Sequence, residues 1–291
     1  MKFSSATDAY IFLIERVMQE GFVTAPRDIA TKELLCEKII LSNPRNRIIG
    51  IPERKCSLPL AIGEFAWHLA GSKDGDFIKF YSKKWEEYCS SNNTVTGSSY
   101  GHTIKRSCPT NILENIIELL GNDSNSRRAI IYFGNNKDQF DLNNIDVSCA
   151  DSVHFLIRDE KLICITTMRS NDLYFGFPYD VFFFTMLQEF VAGKLNIQLG
   201  DYIHVANSLH IYEFQHEKAS ALIKEHTVNY YEMPEMDVNG LDDFLGAERL
   251  LRTEKNFPET SLSKYWQNLL EILGTRIKRE VSDTNPYHIF L

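Results

Sequence analysis

The sequence predicts an α/β (α+β) fold: a mixed, mainly antiparallel β-sheet with helices packed on it. Three observations lead there. Short apolar segments of strand composition are interleaved with longer segments at helical spacing, and two of the strands are joined by a tight turn. The 291 residues, 44% hydrophobic and 24% charged, suffice for one large core. A single domain over residues 1–291 follows, with the polar residues after about 255 as a C-terminal extension.

In chain order, Thr7-Asp8 followed by Tyr10, Phe12, Leu13, Ile14 and Val17 reads as a capped helix ending near Gly21. Residues 34–41 have strand composition and Asn43-Pro44 closes them as a turn. Residues 58–69 space their apolar side chains as a helix around Glu64, stopped at Gly71, and a second helix runs over 76–89. Residues 90–94 and 121–125 are polar loops, the latter after a helix over 109–120. Strands follow at 129–133, 153–157 and 162–167, the last two joined by Arg158-Asp159-Glu160-Lys161 as a hairpin. Pro178 opens a helix to about Val191, and residues 201–206 form a further strand.

Several function classes are excluded early. No apolar run reaches the roughly 18 residues that span a bilayer; the richest, Val181-Phe182-Phe183-Phe184, soon meets Gln188 and Glu189. The N-terminal segment carries Asp8, Glu15 and Arg16 and lacks a secretory signal, so a cytoplasmic location is expected. The cysteines at 36, 56, 89, 108, 149 and 164 include no CxxC pair, which argues for thiols and against a zinc site or a disulfide scaffold. A net charge of −8 repels a polyanion, so no polymeric nucleic acid is expected, whereas a mononucleotide needs only a local arginine cluster.

The segment Arg169-Ser170-Asn171-Asp172-Leu173-Tyr174-Phe175-Gly176-Phe177-Pro178-Tyr179-Asp180 packs an arginine, a serine, two acids and an amide between a strand and a helix. Read alone, it suits a ligand-contacting loop or a solvated loop in which Asp172 or Asp180 caps the helix. Glu64 lies on an apolar helix, where burial raises a carboxyl toward general acid/base range unless it serves as an arginine's partner. His210 and Tyr212, two apart on an extended segment, face the same way as ligand contacts or as satisfied core residues. Cys149 is a nucleophile or a buried thiol, Arg127-Arg128 a phosphate fork or a surface pair, and Trp85 a stacking platform or core.

Taken in order, these motifs resemble those of the thymidylate synthase family. The marks are Gly63-Glu64-Phe65-Ala66-Trp67-His68-Leu69-Ala70-Gly71, Tyr100-Gly101 with Arg106, Ser126-Arg127-Arg128, isolated Cys149, the Arg169-to-Asp180 segment and His210-Ile211-Tyr212, with Arg27 upstream. The resemblance implies a homodimer formed through the sheet, with a pyrimidine nucleoside monophosphate and a reduced folate, 5,10-methylenetetrahydrofolate, as substrates and no metal. It implies Cys149 as nucleophile and Glu64, Asp180 and Tyr100 as the other catalytic groups. Arg27, Arg169 and, from the partner subunit, Arg127 and Arg128 would bind phosphate; Ser170, Asp172, His210 and Tyr212 would complete the nucleotide site. Asp172, Gly176, Tyr179 and Trp85 would meet the folate. A thiol must lose its proton to add to the base, and Arg169 nearby is expected to lower its pKa.

The sequence departs from the family at Asp180, where thymidylate synthases normally carry Asn. An amide donates to the uracil carbonyl, whereas an ionised carboxylate only accepts and suits the amino edge of cytosine. That exchange resembles the deoxycytidylate hydroxymethylase branch, as do Ala150 after Cys149 and the ending Tyr287-His288-Ile289-Phe290-Leu291. The expected reaction is conversion of (d)CMP to its 5-hydroxymethyl derivative; the alternatives are methylation of dUMP and nucleotide binding without turnover.

Overall fold

A computed structural model describes residues 1–106, 111–134, 136–259 and 261–278. The side chain of Arg106, Cys108, the expected helix start at 109 and the closing residues 287–291 lie outside the described residues.

The sheet has eight strands and is organised around one long strand. After β1 (Lys2–Phe3), α1 (Ala6–Glu20) and β2 (Phe22–Thr24), β3 (Thr31–Leu41) runs antiparallel to β8 (Gln198–Tyr212) from Thr31 opposite Tyr212 to Leu41 opposite Tyr202. On its other side β8 pairs in parallel with β6 (Lys161–Met168), which forms an antiparallel hairpin with β5 (Ala150–Arg158). Strand β4 (Ile130–Tyr132) closes that end, and short β7 (Asn171–Asp172) pairs with Leu209 and His210 of β8. The order is β1-β3-β8-β6-β5-β4 with most pairings antiparallel, the mixed sheet that the sequence predicts.

Helices cover one face. Helix α2 (Leu58–Leu69) starts at Ser57, whose hydroxyl accepts from Leu60 N–H, and it is buried over nearly its whole length. Helix α7 (Gly176–Leu195) is apolar on most sides because it lies between the sheet and α2. Toward its C-terminal half, buried Glu189 pairs with fully buried Arg47 and with Arg45 at 2.7 Å. Burial would raise the Glu189 carboxyl, but the two guanidiniums outweigh it and hold it below its ordinary range.

Three differences from the sequence reading have physical causes. The helix expected over 76–89 is broken: α3 (Gly75–Tyr81) ends at extended Ser82, and a 3-10 turn, Lys83–Tyr88, follows. On an unbroken helix residues 81 and 85 would share one face; the break lets Tyr81 donate to Glu248 at 2.7 Å while Trp85 donates to Glu64 at 3.1 Å. Second, β8 continues well past 206, so His210 and Tyr212 belong to the central strand. Third, beyond α4 (Tyr100–Arg106), α5 (Ile112–Asn122) and α6 (Asn136–Phe140) there are helices after β8: α8 (His216–Lys224), α9 (Leu241–Glu254) and α10 (Lys264–Lys278). The last lies in the segment expected as a polar extension, yet its Trp266 is buried and stacks between Phe244 at 4.6 Å and Phe65 of α2 at 6.4 Å.

Candidate active site

Cys149 immediately precedes β5, and its carbonyl accepts the backbone N–H of Arg169 at 2.9 Å, so the hairpin brings thiol and arginine together. The guanidinium donates to the carbonyls of Ser148 at 2.7 Å and Val147 at 3.0 Å, which clamps it to the segment carrying the thiol. Tyr100, at the start of α4, has its hydroxyl hydrogen-bonded to the backbone of Ala150, one residue beyond the thiol. The thiol is nevertheless pushed up to about 11. Burial does most of this and the charges of Asp180 and Asp146 add to it, while Arg169 and Arg27 oppose. The expected lowering by Arg169 is therefore present but outweighed, because the sulfur has left water.

Two carboxyls are linked to this thiol by charge, Asp180 directly and Glu64 through Asp180. Glu64 of α2 is pushed up to about 8 by burial and by the charge of Asp180, against the opposing hydrogen bond from Trp85. Asp180, in the first turns of α7, is pushed up to about 7 by burial, with Asp172 adding, while the Asn171 amide donates to its Oδ2 at 2.8 Å and pulls the other way. A Cβ at Gly176 would stand 3.3 Å from that oxygen and 3.4 Å from Asn171 Nδ2, so glycine leaves room for this hydrogen bond.

A third group lies at the end of β8. Arg27 is exposed and left-handed, with φ 54°, and hydrogen-bonds the Tyr212 hydroxyl. The rings of His210 and Tyr212 meet edge to face at 4.9 Å. Burial pushes His210 down, opposed by Asp172. Asp172 itself is partly committed: its Oδ1 accepts from Tyr174 N–H at 2.9 Å and Phe175 N–H at 3.0 Å, which shapes the turn into α7. Its Oδ2 has only a 3.4 Å contact from Gln215 and keeps acceptor capacity. Tyr179 accepts from Ser57 N–H at 3.1 Å at the start of α2, and Ser170 is half-buried beside Arg169.

Of the residues singled out from sequence, Cys149, Arg169, Tyr100, Glu64, Asp180, Asp172, His210, Tyr212 and Arg27 are thus linked by hydrogen bonds or by their charges. Arg127 and Arg128 are not among them; they are exposed just before β4. Trp85 joins through Glu64, as a hydrogen-bond donor.

Sequence reasoning missed Asp146. Its carboxylate accepts from the N–H groups of Thr96, Gly97 and Ser98 and from the Ser98 hydroxyl at 2.6 to 3.0 Å, tying the loop before α4 to the segment before Cys149. Its only signal was an acid three residues before the candidate nucleophile. Among the described residues no group of three or more His, Cys, Asp or Glu is gathered to hold a metal. No helix among them is long and apolar enough to cross a membrane. Together these residues offer a thiol, two carboxyls poised near neutrality and flanking guanidiniums: the means to add to an electron-poor ring, move protons on it and hold an anionic group.

Comparison with known proteins agrees. The sequence model of the family described as Thymidylate synthase matches residues 8–258. The chain is 28% identical over 221 residues to the deoxyuridylate hydroxymethyltransferase of Bacillus phage SP01, an alignment covering 72% of this chain and 57% of the phage protein. It is 28% identical over 216 residues to a putative thymidylate synthase of Methanocaldococcus jannaschii, covering 73% of this chain and 90% of that one. Over 142 residues it is 28% identical to a thymidylate synthase of Listeria monocytogenes, covering 48% of this chain and 40% of the relative.

Proposed function

This chain belongs to the thymidylate synthase family, and on that footing we propose that it is a one-carbon transferase converting cytidylate to the 5-hydroxymethyl nucleotide. The observation that carries the base assignment is Asp180: a carboxylate, held by Asn171 inside the cleft, stands where an amide would be needed to read uracil.

The cosubstrate is 5,10-methylenetetrahydrofolate, which supplies a one-carbon unit at the oxidation level of formaldehyde. Residues of the cleft fit it: Asp172 Oδ2 keeps capacity to accept a ring N–H, Gly176 carries no side chain, and Trp85 and Tyr179 present half-buried rings. Arg169 and Arg27, joined by Arg127 and Arg128 of a second subunit across a sheet-to-sheet dimer, hold the 5′-phosphate. His210 and Tyr212 hold the sugar. Cys149 Sγ, once deprotonated, bonds to carbon 6 of the base, and the electron pair displaced onto the ring makes carbon 5 nucleophilic. Asp180, with its carboxyl near 7, accepts from the amino group as the carboxylate and, once protonated from solvent, passes that proton to ring nitrogen 3. After carbon 5 has bonded to the one-carbon unit, Glu64 acts through water and Tyr100 assists in taking the carbon 5 proton, and the bond from the one-carbon unit to the folate nitrogen breaks, its electron pair leaving with tetrahydrofolate, so that an exocyclic methylene remains. Water then adds to the exocyclic methylene, the ring electrons return and the carbon–sulfur bond breaks. The described cysteines are free thiols, in keeping with a reducing cytoplasm.

The test is incubation with dCMP, CMP or dUMP and methylenetetrahydrofolate, followed by mass analysis of the product. A gain of one hydroxymethyl on a cytidine nucleotide is expected, and turnover of dUMP alone would sink the assignment. A second reading, hydroxymethylation of deoxyuridylate, is favoured by the phage relative's name and by the raised Asp180 carboxyl, which in its neutral form has a donor for the uracil carbonyl. The same experiment separates the two.

A further inference from the structure

Asp180 is the end of a buried row of hydrogen bonds that begins on β8. Tyr202 and His204, two apart on that strand, both face α7, and the Tyr202 hydroxyl meets His204 Nδ1 at 3.0 Å. His204 Nε2 meets Asn171 Oδ1 at 2.9 Å, and Asn171 Nδ2 donates to Asp180 Oδ2 at 2.8 Å. Asn171, His204 and Tyr202 are each at most 2% exposed, and the imidazole is wedged edge-on against Phe177 at 5.1 Å.

Chemistry gives this row one direction. An amide oxygen only accepts, so His204 Nε2 carries the proton opposite Asn171 Oδ1. Burial pushes His204 down to about 3, so the ring has one proton, and Nδ1 must accept from Tyr202. Every donor therefore points toward Asp180, and the last hydrogen bond ends on a carboxylate oxygen as acceptor. Turning the Asn171 amide over would set oxygen against oxygen at Asp180 and would require the other imidazole tautomer. Left to itself, an Asn amide has no such preference.

We propose that Asn171, His204 and Tyr202 are positioning residues for base selection: they hold Asp180 Oδ2 as an acceptor, leaving its other oxygen to read the amino edge of cytosine. The proposal rests on the cytidylate reading above.

The test measures kcat/KM for dCMP and for dUMP in the wild type and in Tyr202→Phe, His204→Phe and His204→Gln. His204→Phe removes the donor to Asn171 and should lower the dCMP-to-dUMP ratio about tenfold, the worth of one buried hydrogen bond. Tyr202→Phe, which frees the imidazole tautomer, should lower the ratio by a smaller factor. His204→Gln restores an N–H donor and should recover most of the preference. Should His204→Phe fail to fold, Tyr202→Phe, an isosteric loss of one hydroxyl, decides the matter through the same ratio. A wild type that prefers dCMP, with variants that slow both nucleotides equally and leave the ratio unchanged, overturns the relay alone. A wild type that prefers dUMP overturns the base assignment and the relay with it.

Discussion

An amide and a carboxyl at position 180 would fill the same space and differ in one proton-bearing atom. With its carboxyl pushed up to about 7, Asp180 spends part of the neutral range with a hydroxyl that imitates the amide's donor. Glu64, Asp172, Cys149 and Tyr100 interact with Asp180 through their charges, and the first two are themselves acidic. The expected outcome is a dCMP-to-dUMP preference, read as a ratio of kcat/KM, that rises with pH from about 6 to about 8 as Asp180 ionises. Asp180→Asn should flatten that dependence and move the preference toward dUMP. At this scale much was legible: position 180, Cys149 and Glu64 could be picked out by residue type within short motifs. What could not be read was the partnership around them. Tyr202 and His204 read simply as part of a strand, and Trp85 as a core or stacking ring, because hydrogen bonds between residues far apart in sequence leave no local pattern.

Between elements, distance is set by residues with little or no side chain. Gly101 of α4 lies so close to α2 that a Cβ there would overlap the carbonyl oxygen of His68. Its N–H donates to His68 Nδ1 at 3.3 Å, and the His68 ring stacks on Tyr100 at 5.2 Å. Gly101→Ala should therefore force the two helices apart, costing about 2 kcal/mol or more in a denaturant titration and displacing Tyr100 from the thiol. The sequence showed α2 well, since its apolar residues fall at helical spacing over 58–69 before Gly71, and it showed the β5–β6 hairpin through its polar turn. It did not show the break at Ser82, which is decided by what residues 81 and 85 each reach in the folded chain. Helix α10 carried a readable signal, since Tyr265, Trp266, Leu269, Leu270, Leu273 and Ile277 recur at helical spacing, but the polarity of the segment around it hid the apolar face that packs on Phe65 and Phe244.

For the whole molecule, buried ionisable groups set how stability varies with pH. Glu64 and Asp180, pushed up to about 8 and about 7, bind protons more tightly folded than unfolded. Their contribution is complete below the ordinary carboxylate range and is lost as pH rises through those values. His68 and His204, both pushed down to about 3 by burial, work in the opposite sense: their contribution is complete above the ordinary imidazole value and is lost as pH falls. Below about pH 6.5 the two effects oppose each other; above it only the carboxyls act, so Tm should decline between about pH 6.5 and 8.5. Glu64→Gln should remove part of that decline in a thermal melt. The family match ends at residue 258, before α10, so the last helix packs on α2 from beyond the shared region.

The protonated state of Cys149 has a consequence for the idle protein. With the thiol pushed up to about 11 by burial, the protonated form dominates at neutral pH. Peroxides and electrophiles attack the thiolate anion, so between turnovers the sulfur is chemically quiet and lasting oxidative injury is slow. Under the mechanism proposed above, reactivity is kept for the moments when a ring is there to receive it.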